Sequence, residues 1–344
     1  MDSKQKLISF CIPSYNSEPF LHIALDSLIP GGDRIEVLII DDGSKDGTLE
    51  VAKSYEEKYP GLFKAIHQEN KGHGGAINTA LALANGKYFK VLDSDDWTDT
   101  DSLNAMLDFI EEHDEEADLI LADYVYEQGY DNPGKRISFT NVMKPGRVLP
   151  LKKVRTFPVW ENVTLHTAFY RTEIFRASGV VLPEHCSYED NYMVYAPMTK
   201  IHSIAYVHVP FYHYLIGRDG QSMSQDVLAR KYPDMLHCNQ LIFDYCDVTE
   251  IKKRDKALYR LVRHHLIQNF MYAPSISTMG GAKSEEALQA VIALENHCKE
   301  TNPKQWKIIS HAFRYWIVSG KSRIGRAWSH LLLKAAMKVL KFVH

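Results

Sequence analysis

Short strand-like segments alternating with helical ones constrain this chain more than any other feature. Residues 7–12 (LISFCI), 35–40 (IEVLII), 62–67 (LFKAIH) and 87–92 (KYFKVL) read as strands. Between them, three segments carry apolar or small residues at helical spacing. They are 19–29 (Phe20, Ile23, Ala24, Leu28), 48–59 (Leu49, Ala52, Tyr55, Tyr59) and 74–85 (Gly75, Ala76, Ala80, Ala82, Ala84). Residues 101–112 read as a helix and 118–126 as a further strand. Apolar strands joined through helices by short connections wind into a mostly parallel sheet covered on both faces. The expected fold class is therefore α/β, a doubly wound sheet. Such sheets bind ligands beyond the carboxyl ends of their strands. Two acidic clusters, Asp41-Asp42 and Asp93-Ser94-Asp95-Asp96, stand at predicted strand ends.

The rest of the chain is less regular. Residues 127–160 are rich in Gly and Pro and read as loop. Residues 163–176 and 188–201 read as helical or mixed, and 202–216 as extended. Helical patterns run over 226–246, 250–272 and 284–299. We place a boundary near 225, giving a domain 1–225 and a helical C-terminal region 226–344. A chain of 344 residues has room for this arrangement.

Composition excludes several classes. Charged residues make up 24% and hydrophobic residues 45%, ordinary for a soluble globular protein. Cys11, Cys186, Cys238, Cys246 and Cys298 are scattered, without a CxxC pair. Neither a disulfide framework nor a zinc site is expected, and a reducing cytosol is. No signal-peptide pattern opens the chain and no run of 18 apolar residues occurs. The net charge of −3 conceals a split: after Glu300 there are nine basic and no acidic side chains, leaving −12 for the first 300 residues. Such a tail points to an anionic partner.

Four stretches could carry chemistry. Carboxylates spaced as in Asp93-Ser94-Asp95-Asp96 can jointly approach a hard divalent cation that also binds substrate phosphates. The same residues read equally as a solvated turn with helix-capping Asp. Asp41-Asp42-Gly43-Ser44-Lys45-Asp46-Gly47-Thr48 offers carboxylates to a base or ribose, or is a well-capped strand-to-helix turn. Asn70-Lys71-Gly72-His73-Gly74-Gly75-Ala76-Ile77-Asn78 lets backbone approach a ligand and gives Lys71 to a phosphate, or is a flexible loop before a helix. It matches neither the P-loop nor the dinucleotide fingerprint. Tyr188-Glu189-Asp190-Asn191-Tyr192 holds a candidate base, or is a helix start that favours acids.

Taken in order, these stretches resemble the family-2 inverting glycosyltransferases. The likeness begins at Ser9–Asn16 and continues through Val37–Ser44, Asp46-Gly47-Thr48, Asn70, Gly72, Gly75, Ala76 and Asn78. It then takes in Gly86-Lys87-Tyr88, Leu92–Asp96, Phe169-Tyr170-Arg171, Glu189-Asp190 and the stretch from Tyr212 to Ser224, with Arg218, Ser222 and Ser224. It covers residues 7–224. The resemblance implies a GT-A fold, a nucleotide-binding mixed sheet, with a UDP- or related sugar donor and Mn2+ or Mg2+. It implies Asp42 against a uracil-type base, and Pro13, Tyr15 and Asn16 lining the nucleotide pocket. Lys71, Gly72, Asn78 and Ser94 fall in the nucleotide-sugar stretches. Asp93 would face the ribose or donor sugar, Asp95 (the DxD motif) would bind metal and Arg218 would pair with the diphosphate. Asp190 would be the catalytic base, with Glu189 beside it. Two departures stand out: His73 occupies the middle of a loop where serine is more usual, and no Gln-x-x-Arg-Trp motif of processive members occurs. A single-sugar transferase is expected. The resemblance also implies a glycan or lipid-linked acceptor in bacterial surface polysaccharide synthesis.

The tail 323–344 places Ile324, Trp328, Leu331, Leu332, Ala335, Val339 and Leu340 near helical spacing beside a basic stripe. That suits an interfacial helix on an anionic membrane, or equally a helix packed on its own domain. Together these readings give a cytoplasmic protein, with peripheral contact on the inner face of the membrane if the first holds. No nucleic-acid motif is present. The competing function is a binding or scaffold protein of the same fold without catalysis.

Overall fold

The computed structural model describes residues 5–113, 117–129, 133–159, 161–216, 225–277 and 285–312, with Tyr315 and Leu331. The chain divides into two compact units. The first comprises 1–155, 163–186 and 196–215; the second comprises 156–162, 187–195 and 216–344.

The first unit is built on a nine-stranded sheet. Its strands are β1 (Ile8–Ser14), β2 (Ile35–Asp41), β3 (Phe63–His67), β4 (Tyr88–Val91), β5 (Leu119–Glu127), β6 (Pro133–Ile137), β7 (Val148–Pro150), β8 (Ala168–Arg171) and β9 (Ser203–Leu215). The order across the sheet is β3-β2-β1-β4-β8-β5-β9-β7, with β6 against the far end of β5. Strands β1–β4 are mutually parallel, as their apolar runs predict. Strand β8 reverses direction, pairing antiparallel with both β4 and β5, while β9 runs parallel to β5. The sheet is thus mixed. Helices α1 (Leu21–Leu28), α2 (Thr48–Lys58), α3 (Gly72–Leu83), α4 (Thr100–Glu112) and α5 (Thr172–Ala177) connect these strands. Every residue of β1 and β4 is buried, which explains why their sequences are apolar on both faces.

Two local choices shape the functional edge. Pro13 lies inside the central strand β1, where proline is normally excluded. The ladder to β4 ends at Cys11–Val91, and Leu92 N–H then closes on the Cys11 carbonyl. Pro13 faces that same side, so its missing N–H leaves no β4 partner unsatisfied. In β9 the register with β5 shifts twice around Asp123, and the strand continues with Tyr212 and Tyr214 on one face.

Strand β8 and helix α5 lie within a stretch whose sequence reads as helical or mixed. Its four strand residues are chosen by the two neighbouring strands rather than by propensity. Likewise β6 and β7 fall inside the loop-rich stretch 127–160.

The second unit holds most of α6 (Glu189–Met198) and the helices α7 (Gln225–Tyr245), α8 (Val248–Arg254), α9 (Lys256–Ser277), α10 (Glu285–Thr301) and α11 (Pro303–Ser310). Phe243, Phe270 and Trp306 meet edge to face in its core. Gln305 ties α11 to α7 and α8, donating to the Phe243 carbonyl at 2.7 Å and accepting from Val248 N–H at 2.7 Å. All five cysteines are free thiols. Among the described residues no helix is long and apolar enough to cross a membrane. The amphipathic stretch 323–344 lies outside the described residues, apart from the exposed Leu331.

Candidate active site

Because β1, β2 and β4 are parallel, the loops after them share one edge of the sheet. The loop after β1 carries Tyr15, half-exposed, and Asn16, in the left-handed region at φ 51°. Asn16 locks onto the loop after β2: its N–H donates to Ser44 Oγ at 3.0 Å and its Oδ1 accepts from Lys45 N–H at 2.9 Å. Ser94 is buried and shares a 2.8 Å hydrogen bond with Ser17, joining the loops after β1 and β4.

Asp42 is buried and organises the next loop. Its Oδ1 accepts from Gln68 Nε2 at 2.7 Å and Lys71 N–H at 2.9 Å, and its Oδ2 from Gly72 N–H at 2.8 Å. A carboxylate has about four lone-pair sites, so one is left for a ligand. Gly72 is required at its place: φ is 75°, and a Cβ there would sit 2.8 Å from the backbone nitrogen of His185. Asn78 pairs both ways with Leu182, through its Oδ1 at 3.0 Å and its Nδ2 at 2.9 Å. Its amide holds the chain around Leu182 in place. Lys71 is half-exposed, with Nζ 3.8 Å from Glu184.

The loop after β4 forms the acidic centre. Asp93 Oδ1 meets His73 Nε2 at 3.0 Å. Burial raises the Asp93 pKa, but the His73 bond and charge, the His166 charge and Tyr212 outweigh it, and the carboxyl stays below its ordinary value. Asp96 is fully buried and goes the other way: burial and the charges of Asp95 and Asp93 push it well above 3.8. Its oxygens accept from Tyr212 Oη at 2.6 Å and Leu215 N–H at 2.9 Å, which anchors the end of β9.

His166 completes the centre. Its register follows from β8: Tyr88 faces Arg171 and Phe89 faces Tyr170, so the residues before β8 arrive beside those after β4. The ring stacks between Tyr124 and Tyr214, with Tyr212 on edge. Its Nδ1 lies 3.3 Å from Thr164 Oγ1. Burial, opposed by Asp93 and aided by Lys90, lowers its pKa to about 4. The imidazole is therefore neutral at pH 7. Ligand atoms of Asp93, Asp96 and His166 lie within 4.8 Å of one another.

Beneath the centre lies Lys90, fully buried. Its Nζ donates to the carbonyls of Leu165 at 2.6 Å and His166 at 2.7 Å, over the rings of Phe169 and Tyr212. Burial pulls its pKa well below the ordinary value, against the charges of Asp93 and Asp96. Lys90 thus pins the turn that carries His166 to strand β4.

The donor set of Asp93, Asp96 and His166 fits a divalent cation. Two crowded carboxylates need positive charge, as the raised Asp96 shows, and a neutral imidazole can ligate. The sequence reading put the metal on Asp95, which lies outside this trio of ligand atoms. It missed His166, a lone histidine some 70 residues along with no local signal. It also assigned no role to Lys90, although a lysine in an apolar strand was a legible oddity.

The expected bases lie in the second unit. Glu189 is buried at the start of α6, and Asp190 Oδ1 accepts from Asn191 Nδ2 at 3.2 Å. Tyr188, just before them, is left-handed at φ 67°. Arg218, Ser222 and Ser224 lie outside the described residues.

A family model described as Glycosyl transferase family 2 matches residues 9–179. EpsH of Bacillus subtilis (strain 168) is 30% identical over 223 residues, 61% of this chain and 60% of EpsH. The poly(ribitol-phosphate) beta-N-acetylglucosaminyltransferase TarS of Staphylococcus aureus is 27% identical over 221 residues, 63% of this chain but 36% of TarS. The chain therefore spans 60% of the length of EpsH and 36% of that of TarS. Among solved structures, TarS 1–349 in complex with UDP-GlcNAc superposes with TM-score 0.53 at 20% identity, covering 93% of this chain and 92% of that one. The mannosyltransferase PcManGT of Pyrobaculum calidifontis, in complex with GDP-Man and Mn2+, superposes with TM-score 0.54 at 16% identity, covering 98% and 88%. At these identities the structural likeness speaks for the GT-A fold.

Proposed function

The chain belongs to glycosyl transferase family 2, and from that premise we propose that it transfers a single sugar from a nucleotide-sugar donor, a UDP-sugar, to an acceptor hydroxyl with inversion. The acceptor is a glycan or lipid-linked glycan of a bacterial surface polysaccharide. TarS, named for a poly(ribitol-phosphate) acceptor, supports this setting. The observation that carries the reading is the centre of Asp93, Asp96 and His166 at the carboxyl edge of β1, β2 and β4. It stands on the same edge as the loops of Tyr15, Asn16, Asp42 and Gly72.

Tyr15 offers an exposed ring to the base and Asp42 one free lone-pair site. Lys71 and Arg218 are proposed to meet the diphosphate. Asp93, Asp96 and His166, with Asp95 on the same turn, would hold Mn2+ or Mg2+. Such an ion, when bound, neutralises charge on a departing diphosphate. The mixed oxygen and imidazole donor set favours Mn2+ over Mg2+. Asp190 would take the proton of the acceptor hydroxyl as its oxygen forms the new bond to the anomeric carbon and the bond to the nucleoside diphosphate breaks. No covalent enzyme intermediate arises. The basic tail would place the protein against an anionic membrane on its cytoplasmic face.

Calorimetric titration with UDP and GDP, each with Mn2+, Mg2+ or chelator, tests the reading. The expected result is UDP binding that needs metal, is tighter with Mn2+, and loses that preference in His166→Ala. Preference for GDP would change the donor. A folded protein that binds no nucleoside diphosphate would remove the transferase reading.

A further inference from the structure

The turn that leads into Glu189-Asp190 is gripped from helix α7 at both backbone polar atoms of one residue. Ser187 N–H donates to Asp234 Oδ2 at 3.1 Å, and the Ser187 carbonyl accepts from the Cys238 thiol at 3.5 Å. Asp234 and Cys238 are four residues apart, so they project from one face of α7. Lys231, three residues before Asp234 on that face, bonds the same Oδ2 at 3.2 Å. The thiol of Cys238 is buried.

The grip falls at a strained point. The next residue, Tyr188, is held at φ 67°, a region that a non-glycine residue occupies at a cost. From there Asn191 closes the turn: its N–H and its Nδ2 each reach the Tyr188 carbonyl at 3.2 Å, and Nδ2 also reaches Asp190 Oδ1 at 3.2 Å. The backbone of Ser187 and Tyr188 therefore sets the direction of the Asp190 carboxylate. Burial, with the charges of Asp190 and Asp234, pushes the Tyr188 phenol up to about 12.

We propose that Asp234 and Cys238 are positioning residues for the reaction: they clamp the Ser187 backbone ahead of the left-handed Tyr188 in the turn that aims Asp190. The proposal rests on the reading of Asp190 as base. It accounts for a thiol and a carboxylate spent on one backbone unit beside a strained residue. Base geometry matters because a displacement of about 1 Å at a reacting group can cost roughly 100-fold in rate.

Two measurements on the full chain test it. Hydrogen–deuterium exchange over 185–192 needs no substrate. In Asp234→Ala the amides of this segment should exchange at least roughly tenfold faster, and Asp234→Asn, which keeps an acceptor for Ser187 N–H, should restore protection. Unchanged exchange in Asp234→Ala overturns the clamp. Release of UDP from UDP-GlcNAc with Mn2+ is the second readout. Asp234→Ala should lower kcat roughly 10- to 100-fold with KM for the donor unchanged, and Asp234→Asn should recover most of it. Adding Asp234→Ala to Asp190→Asn should cause no further loss, whereas a general structural defect would add. An Asp234→Ala protein that turns over like wild type, while Asp190→Asn is dead, overturns the positioning role. If Asp190→Asn itself keeps wild-type turnover, the base reading falls while the exchange result still judges the clamp.

Discussion

Replacing His166 by glutamine should remove a pH dependence of stability that the wild-type fold carries. In the folded chain the imidazole pKa is lowered from 6.5 to about 4 by burial, against the pull of Asp93. Unfolding hydrates the ring and restores the ordinary value. Between these two values the unfolded state holds a proton that the folded state does not. Stability therefore falls as the pH drops below 6.5 and stops falling below about 4. Linkage puts the loss at roughly 1 kcal/mol at pH 6, about 2 kcal/mol at pH 5 and about 3 kcal/mol at pH 4. These are upper figures, since a half-buried ring keeps some water. Asp93 keeps its His73 bond in both proteins, so between pH 7 and pH 5 the difference between wild type and variant reports the histidine. The assay is urea denaturation at pH 7, 6 and 5 with chelator present, so that metal binding does not enter. The gap between the two proteins should change by about 2 kcal/mol from pH 7 to pH 5. Parallel curves would refute the buried neutral imidazole, and with it the argument that His166 is ready to ligate at neutral pH.

Tyr212→Phe deletes the hydroxyl that donates to Asp96 Oδ2 and accepts from Asp93 N–H. A buried carboxyl left with one donor costs about 2 kcal/mol, visible in thermal denaturation; a change under about 0.5 kcal/mol would mean Asp96 does not depend on it. Gly72→Ala puts a Cβ against the His185 backbone at φ 75°, costing at least about 1–2 kcal/mol and weakening UDP binding, because Gly72 N–H holds Asp42. Wild-type nucleotide affinity in that variant would disconnect the Asp42 loop from the donor site.

The sequence exposed the parts of the fold that repeat a simple period. The strands β1, β2 and β4 are readable because burial on both faces leaves them mostly apolar, and the helix-rich second unit because its periodicity is long. Strand β8 was hidden: Ala168-Phe169-Tyr170-Arg171 becomes a strand only because β4 and β5 leave a place between them. His166 was hidden with it. The site was half legible. Asp93-Ser94-Asp95-Asp96 announces an acidic turn, but which carboxylate is free and which is buried depends on Tyr212 and Leu215, more than 100 residues later. Asp42 reads as a ligand contact, whereas most of its lone pairs serve the loop after β3.

The reversal of β8 also decides which of its ends reaches the functional edge. Parallel strands bring their ends to the functional edge, and a single reversed strand brings its beginning there. Both carboxylates precede β5 in the chain, and the imidazole comes from the stretch just before β8. The three side chains meet because β8 lies between β4 and β5. The centre is therefore sensitive to register: a slip of β8 by one residue against β4 would carry His166 away from Asp93 and Asp96.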